Sequence, residues 1–224
     1  MPSKPIFFPQ LKRRNSYPSY SRYNRYRDLI REDCRYRCVY CDIHELELGR
    51  ELETRDERMT LDHFRPQAYY ENLQNDPLNL VLCCPVCNRK KADDWPAYDQ
   101  RHGGLIVGNS GYIDPFADNR SLYFQVSDDG SLVPLRHPAS YMIRLLVLNR
   151  SAAKRIRRRR IQLYENLLAL ESYFEAAITK LERKLNTLTT DDQACMQRKL
   201  EEKLLLLENL RDSVTKIEQM ISLD

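Results

Sequence analysis

The chain has 224 residues, 42% of them hydrophobic and 30% charged, with 36 Lys and Arg against 32 Asp and Glu. These values exclude a collagen-like or fully disordered chain and suit one compact domain, or one domain plus an accessory segment. No apolar run reaches the roughly 18 residues of a membrane span. Pro2, Pro5 and Pro9 break up a start that lacks the apolar core of a signal peptide. The expectation is a soluble cytoplasmic protein with no membrane association. Its seven cysteines then read as thiols or metal ligands rather than a disulfide framework.

The net charge of +4 hides segregation. Residues 1–31 carry +7 and residues 136–160 carry +9, while the stretches between and after them carry −8 and −4. Two basic stretches around an acidic body point to a polyanionic partner such as nucleic acid. Residues 1–27 read as a basic arm in which Tyr17, Tyr20, Tyr23 and Tyr26 interleave with Arg22, Arg25 and Arg27. Such an arm can stack on bases, trail as a tail or dock on its own domain.

Residues 28–135 form the central domain. Arg58 to Phe64 reads as a strand ended by Pro66. Asn75-Asp76-Pro77 is turn chemistry, and Leu78 to Leu82 reads as a buried second strand. Asn88 to Asp94 then starts a short helix that Trp95-Pro96 ends. A hairpin is expected from Leu122 to Val126 and from Leu132 to Leu135, turning at Asp128-Asp129-Gly130. Residues 136–160 read as a basic helix ending in Arg157, Arg158, Arg159 and Arg160.

Residues 161–224 carry two helical stripes. Leu163, Leu167, Leu170, Phe174, Ala177 and Leu181 alternate spacings of four and three. After a break at Asn186 to Thr190, Thr190 and Gln193 make a capping box. The second stripe is Met196, Leu200, Leu204, Leu207, Val214, Ile217 and Ile221. The two helices predict an antiparallel hairpin that either packs on itself and the body or docks another chain. Cys195, within the second helix, reads as a core residue.

Cys38-Val39-Tyr40-Cys41 and Cys84-Pro85-Val86-Cys87 are two C-x-x-C pairs. Each pair can place two thiolates on one tight turn, and together Cys38, Cys41, Cys84 and Cys87 complete a four-sulfur structural zinc site. Cys34 and Cys83 are the alternative ligands. Their wider spacing to Cys38 and Cys87 leaves them out of the set.

With these pairs stand Leu61-Asp62-His63-Phe64-Arg65-Pro66, Leu78-Asn79-Leu80-Val81-Leu82 and, directly after Cys87, Asn88-Arg89-Lys90-Lys91. In order and spacing the strings resemble the HNH endonuclease family. The resemblance implies an α+β fold: a ββα-metal HNH nuclease core with a four-cysteine zinc knuckle, followed here by the α-helical hairpin. It implies that His63 is the general base, that Asp62 and Asn88 ligate a catalytic Mg2+ or Mn2+, and that Asn79 braces the loop carrying His63. Asn88 stands where the family name has its final His. Arg65, Lys90 and Lys91, with Arg157 to Arg160, are candidates for contacting phosphates.

A looser set of strings is Asp114-Pro115, Phe124, Gly130-Ser131-Leu132-Val133-Pro134 and Leu146-Val147-Leu148-Asn149-Arg150. It is similar to the Septu-type and retron-associated HNH nucleases of bacterial antiphage defence. That resemblance implies an effector working with an ATPase partner, docked through the C-terminal helices. The opposing reading is a non-catalytic zinc-containing subunit that only binds nucleic acid or another protein.

Overall fold

The computed structural model describes residues 7–51, 59–98, 104–185 and 190–222. They fall into two compact units, one spanning Phe7–Arg158 and the other comprising the chain from Arg159 onward. Among the described residues no helix is long and apolar enough to cross a membrane.

In the first unit, residues 7–26 pack as part of the domain. Phe7, Phe8 and Leu11 are buried, and Phe8 stacks on Phe124 at 5.0 Å. The Arg13 guanidinium donates to three carbonyls, of Pro77 (2.8 Å), Leu78 (2.8 Å) and Leu80 (3.0 Å). Of the interleaved tyrosines, Tyr26 is buried beneath Tyr20, and the Tyr17 hydroxyl donates to Asp33. The segment therefore docks on its own domain. Low aliphatic content concealed this, because aromatic rings and arginine forks supply the packing.

A 3-10 turn at Tyr23–Tyr26 leads into α1 (Arg27–Asp33), followed by α2 (Glu45–Glu51). β1 (Thr60–His63) and β2 (Leu80–Cys83) pair antiparallel, with Thr60 opposite Cys83 and His63 opposite Leu80. All four residues of β2 are buried, as its continuous apolar run requires. α3 (Pro85–Lys91) follows at once. Cys84 is its N-cap, accepting from the Cys87 N–H, and Pro85 takes a first-turn position where no donor is needed. The helix thus starts three residues before its expected start at Asn88, because the second C-x-x-C pair itself opens it.

β3 (Ile106–Val107) pairs with β4 (Ser110–Gly111), and β5 (Phe124–Val126) with β6 (Leu132–Pro134). Gly130, in the β5–β6 turn, has φ +82, and a Cβ there would lie 2.2 Å from the Lys154 carbonyl oxygen. Only glycine lets the turn press that close to a helix backbone.

The basic segment is not one helix. α4 (Ala139–Leu145) stops, and α5 (Ser151–Leu185) begins six residues later. Between them Val147 has φ +49, and Asn149 clamps Leu132 through both its backbone N–H (2.7 Å) and its carbonyl (3.0 Å). These tertiary hydrogen bonds override helical propensity. Arg157 is fully buried and donates to the carbonyls of Gly130 (2.6 Å) and Leu148 (2.8 Å). It holds the break and the β5–β6 turn together, so its expected role at phosphates is withdrawn.

In the second unit, α5 continues from Arg159 to Leu185 and is followed by α6 (Thr190–Ser222). Ile178, Leu200 and Leu207 form its core, with Phe174 and Leu181 against them. Arg211 bonds Glu171 (3.0 Å) and Glu175 (2.6 Å), and Lys203 lies over the Phe174 ring. These contacts pair later residues of α6 with earlier residues of α5. Leu163 and Leu170 of the expected stripe are exposed, as are Leu204, Leu205 and Leu206. Cys195 is exposed too, which corrects its reading as core. Of the second stripe, the side chains of Val214, Ile217 and Ile221 lie outside the described residues.

Candidate metal centre and active site

Cys38, Cys41, Cys84 and Cys87 come together. Their four sulfurs lie within 4.8 Å of one another, and all four residues are buried. Two turns place them: Cys38 N–H bonds Ile43 O and Asp42 N–H bonds Cys38 O, while in the second pair Asn88 N–H bonds Cys84 O. The Cys41–Cys84 sulfur separation is 3.7 Å. Four sulfurs about 2.3 Å from a tetrahedral zinc stand about 3.8 Å apart, so spacing and donor chemistry both fit that ion. Cys34 and Cys83 stand outside the cluster. The Cys34 sulfur accepts from Leu82 N–H, and burial pushes its thiol up to about 12.

Arg150 is the residue that spacing did not reveal. Its guanidinium reaches the sulfurs of Cys41 (3.3 Å), Cys84 (3.4 Å) and Cys87 (3.8 Å). Burial works against a thiolate at Cys41, but its hydrogen bonds with Cys38, Cys84 and Cys87 and the charge of Arg150 hold it well below the ordinary thiol range. Four thiolates around a divalent ion leave a net double negative charge, and the half-buried guanidinium of Arg150 offsets half of it.

Beside the cluster, α3 packs against one face of β1. Alternation puts Thr60 and Asp62 on the same face of the strand, and Asn88 and Lys91 are three apart on α3. Asn88 Nδ2 donates to Thr60 Oγ1 at 3.1 Å. The Lys91 ammonium lies 3.2 Å from Asp62 Oδ2 and donates to the His63 carbonyl at 2.9 Å. Tyr40 donates to the same Asp62 oxygen at 2.6 Å. Burial raises the Asp62 carboxyl above its ordinary value, against the pull of Lys91 and Tyr40. Oδ1 keeps only a long contact to Lys91 at 3.4 Å, and the Asn88 carboxamide oxygen has no protein partner among the described residues. A hard cation needs oxygens of this kind. Lys91 itself is 1% exposed and paired, so it leaves the set of phosphate-contacting candidates.

His63 is next along β1 and projects to the other side. Its Nε2 lies 2.8 Å from the Gln74 carbonyl. A carbonyl can only accept, so Nε2 carries the hydrogen, and in the neutral ring Nδ1 keeps its lone pair. The Tyr23 ring stands edge-on to the imidazole at 4.9 Å. Behind it, Asn79 accepts from Arg65 N–H (2.9 Å) and donates to Arg65 O (3.0 Å), while Phe64 N–H bonds Asn79 O (2.8 Å). These bonds tie the chain just after His63 to the start of β2.

Residues 38–94 match the family model of the HNH endonucleases. This stretch is an HNH endonuclease domain. No curated protein and no solved structure matches the chain. The remaining cationic candidates divide by exposure. Lys90, Arg158 and Arg159 are exposed, and Arg65 is half-buried with its guanidinium over the rings of Tyr70 and Trp95. Arg160 is buried.

Proposed function

We propose that this protein is a metal-dependent HNH endonuclease that hydrolyses phosphodiester bonds of nucleic acid, DNA above all. The observation that carries this reading is the His63 imidazole, held through Nε2–H with Nδ1 left to act as a base. Nδ1 takes a proton from a water whose oxygen forms a bond to phosphorus, and the bond to the leaving sugar oxygen breaks. Asp62 and Asn88 would hold Mg2+ or Mn2+, which would supply charge stabilisation to the phosphate under attack. Asn79 braces the His63 loop. Zinc at the four cysteines is structural, and Lys90, Arg65, Arg158 and Arg159 supply cationic contacts to the substrate, whereas the buried Arg160 leaves that set. His63→Ala is expected to lower plasmid cleavage by about 10²–10⁴-fold with Mg2+ or Mn2+ present. Cleavage by that variant at the wild-type rate overturns the reading.

The chain fits the effector of a bacterial antiphage system, working in the cytoplasm with an ATPase. The support is the C-terminal unit, where Leu204, Leu205 and Leu206 are 44%, 59% and 51% exposed on successive positions of one helix. Three such leucines present more apolar surface than a solvated helix needs, as a docking site does. One observation favours the non-catalytic alternative: the Asp62 carboxylate already carries Lys91. Manganese binding by the wild type that Asp62→Asn abolishes decides between the two.

A further inference from the structure

The arm that the sequence offered as a nucleic-acid contact meets the candidate base instead. The Tyr23 and His63 rings are 4.9 Å apart at 64°. The Tyr23 N–H donates to Asn75 Oδ1 at 2.9 Å, and Asn75 follows Gln74, whose carbonyl takes the His63 Nε2–H. The turn carrying both is closed by Gln74 N–H to Glu71 O (3.1 Å) and Asp76 N–H to Leu73 O (3.2 Å). Just beyond it, the Arg13 fork grips the carbonyls of Pro77, Leu78 and Leu80. Two points of the arm thus fasten the turn that holds His63. The backbone of His63 is itself registered opposite Leu80.

An imidazole on a strand has a broad, roughly two-fold choice about its second torsion. Turning it over exchanges Nδ1 with a carbon and Nε2 with another, which removes the hydrogen bond to Gln74. The carbonyl of Gln74 selects one of the two orientations, and the Tyr23 ring, edge-on to the imidazole, holds the ring plane against that carbonyl. We propose that Tyr23 is a positioning residue for His63, fixing the imidazole with Nε2–H on Gln74 and Nδ1 turned toward substrate. Tyr23 is itself 36% exposed, so its ring also reaches solvent beside the imidazole. The effect on cleavage rests on His63 being the base, whereas the effect on the ring does not.

The test uses the full chain labelled with nitrogen-15 in its four histidines, with His63→Ala to assign the signal. Wild type and Tyr23→Phe are expected to show His63 as a single Nε2–H tautomer. Tyr23→Ala, and Asn75→Ala as a second variant that loosens the tether, are expected to show averaged ring nitrogens. An edge-to-face contact holds the ring in place against the Gln74 carbonyl by a factor of about ten at most. The rate constant of cleavage should therefore fall about tenfold in Tyr23→Ala, with KM unchanged, and return in Tyr23→Phe. Unchanged nitrogen shifts in both the alanine and the Asn75 variants overturn the proposal. So does a change in KM alone, which would make Tyr23 a substrate contact. Should wild type fail to cleave, the nuclease reading falls, and the nitrogen shifts still decide whether Tyr23 orients His63.

Discussion

The domain spanning Phe7–Arg158, which contains the HNH stretch, and the chain from Arg159 onward solve the folding problem by opposite means. The domain's site rests on two four-residue strands and a seven-residue helix. A two-stranded ribbon and a helix that short are each marginal in water. What fixes them is a set of polar side chains with defined partners: four cysteines around one point, Asn79 on Arg65, Lys91 on Asp62 and Arg13 on three carbonyls. The second unit has helices of 35 and 33 residues, the first of which begins in the domain. Its described core is a few aliphatic residues, with ion pairs at the surface. The difference shows where information is concentrated. In the domain single atoms matter, while in the helical unit many side chains share one apolar duty.

The largest expected effect breaks the domain alone. Cys41→Ser removes one ligand from a site of a kind whose zinc supplies about 10–16 kcal/mol of apparent folding free energy. The domain should lose its cooperative melting transition, while circular dichroism retains the signal of the long helices. A variant that melts at the wild-type temperature and still holds one zinc per chain contradicts this.

Next in size is the converse. Leu207→Ala empties a core position of the helical unit and should cost about 2–5 kcal/mol there. Plasmid cleavage and zinc content should stay at wild-type levels. On the proposed reading, Leu205→Asp, on an exposed neighbour, should leave melting unchanged but end co-purification with an ATPase partner. If Leu207→Ala abolishes cleavage, the two regions are not energetically separate.

The smallest effect is confined to the packed arm. Burial and the neighbouring Asp33 push the Tyr17 phenol up to about 12, although the nearby Arg13 opposes them. The ordinary value is about 10. A folded-state value above the unfolded one means the protonated phenol is the form the fold favours. The stability it contributes is complete below about pH 10 and is lost between about 10 and 12. Ultraviolet titration of tyrosinate in wild type and Tyr17→Phe should differ by one late-titrating group. Loss of that difference contradicts the docked arm.

The four-sulfur cluster and the elements beside it were legible in the sequence, where chemistry is encoded by short spacing. Two C-x-x-C pairs, Asp62-His63, Asn79 and Asn88 are each defined by neighbours within a few residues, and β1, β2 and α3 followed within a few positions. What stayed hidden depends on partners far along the chain. Arg150 reaches a cysteine 109 residues away, and Tyr23 meets a histidine forty positions on. A charge run likewise does not distinguish a buried cation from a solvated one. Arg157 is fully buried, yet its neighbours Arg158 and Arg159 are exposed, because a helix turns each residue by about 100°. Nor does an apolar stripe distinguish the inward Leu207 from the outward Leu204, since four successive leucines satisfy every register.

The brevity of α3 has a consequence for the cell that makes this protein. Within seven residues the helix carries Cys87 for the sulfur cluster and Asn88 and Lys91 for the β1 face, and Cys84 caps it. No segment lies between the two functions to let one form without the other. On the proposed reading, a newly made chain has no competent scissors until it has captured zinc, however much magnesium surrounds it. Zinc capture then serves as a safety interlock at biosynthesis, sparing the host genome from chains that are finished but not yet loaded.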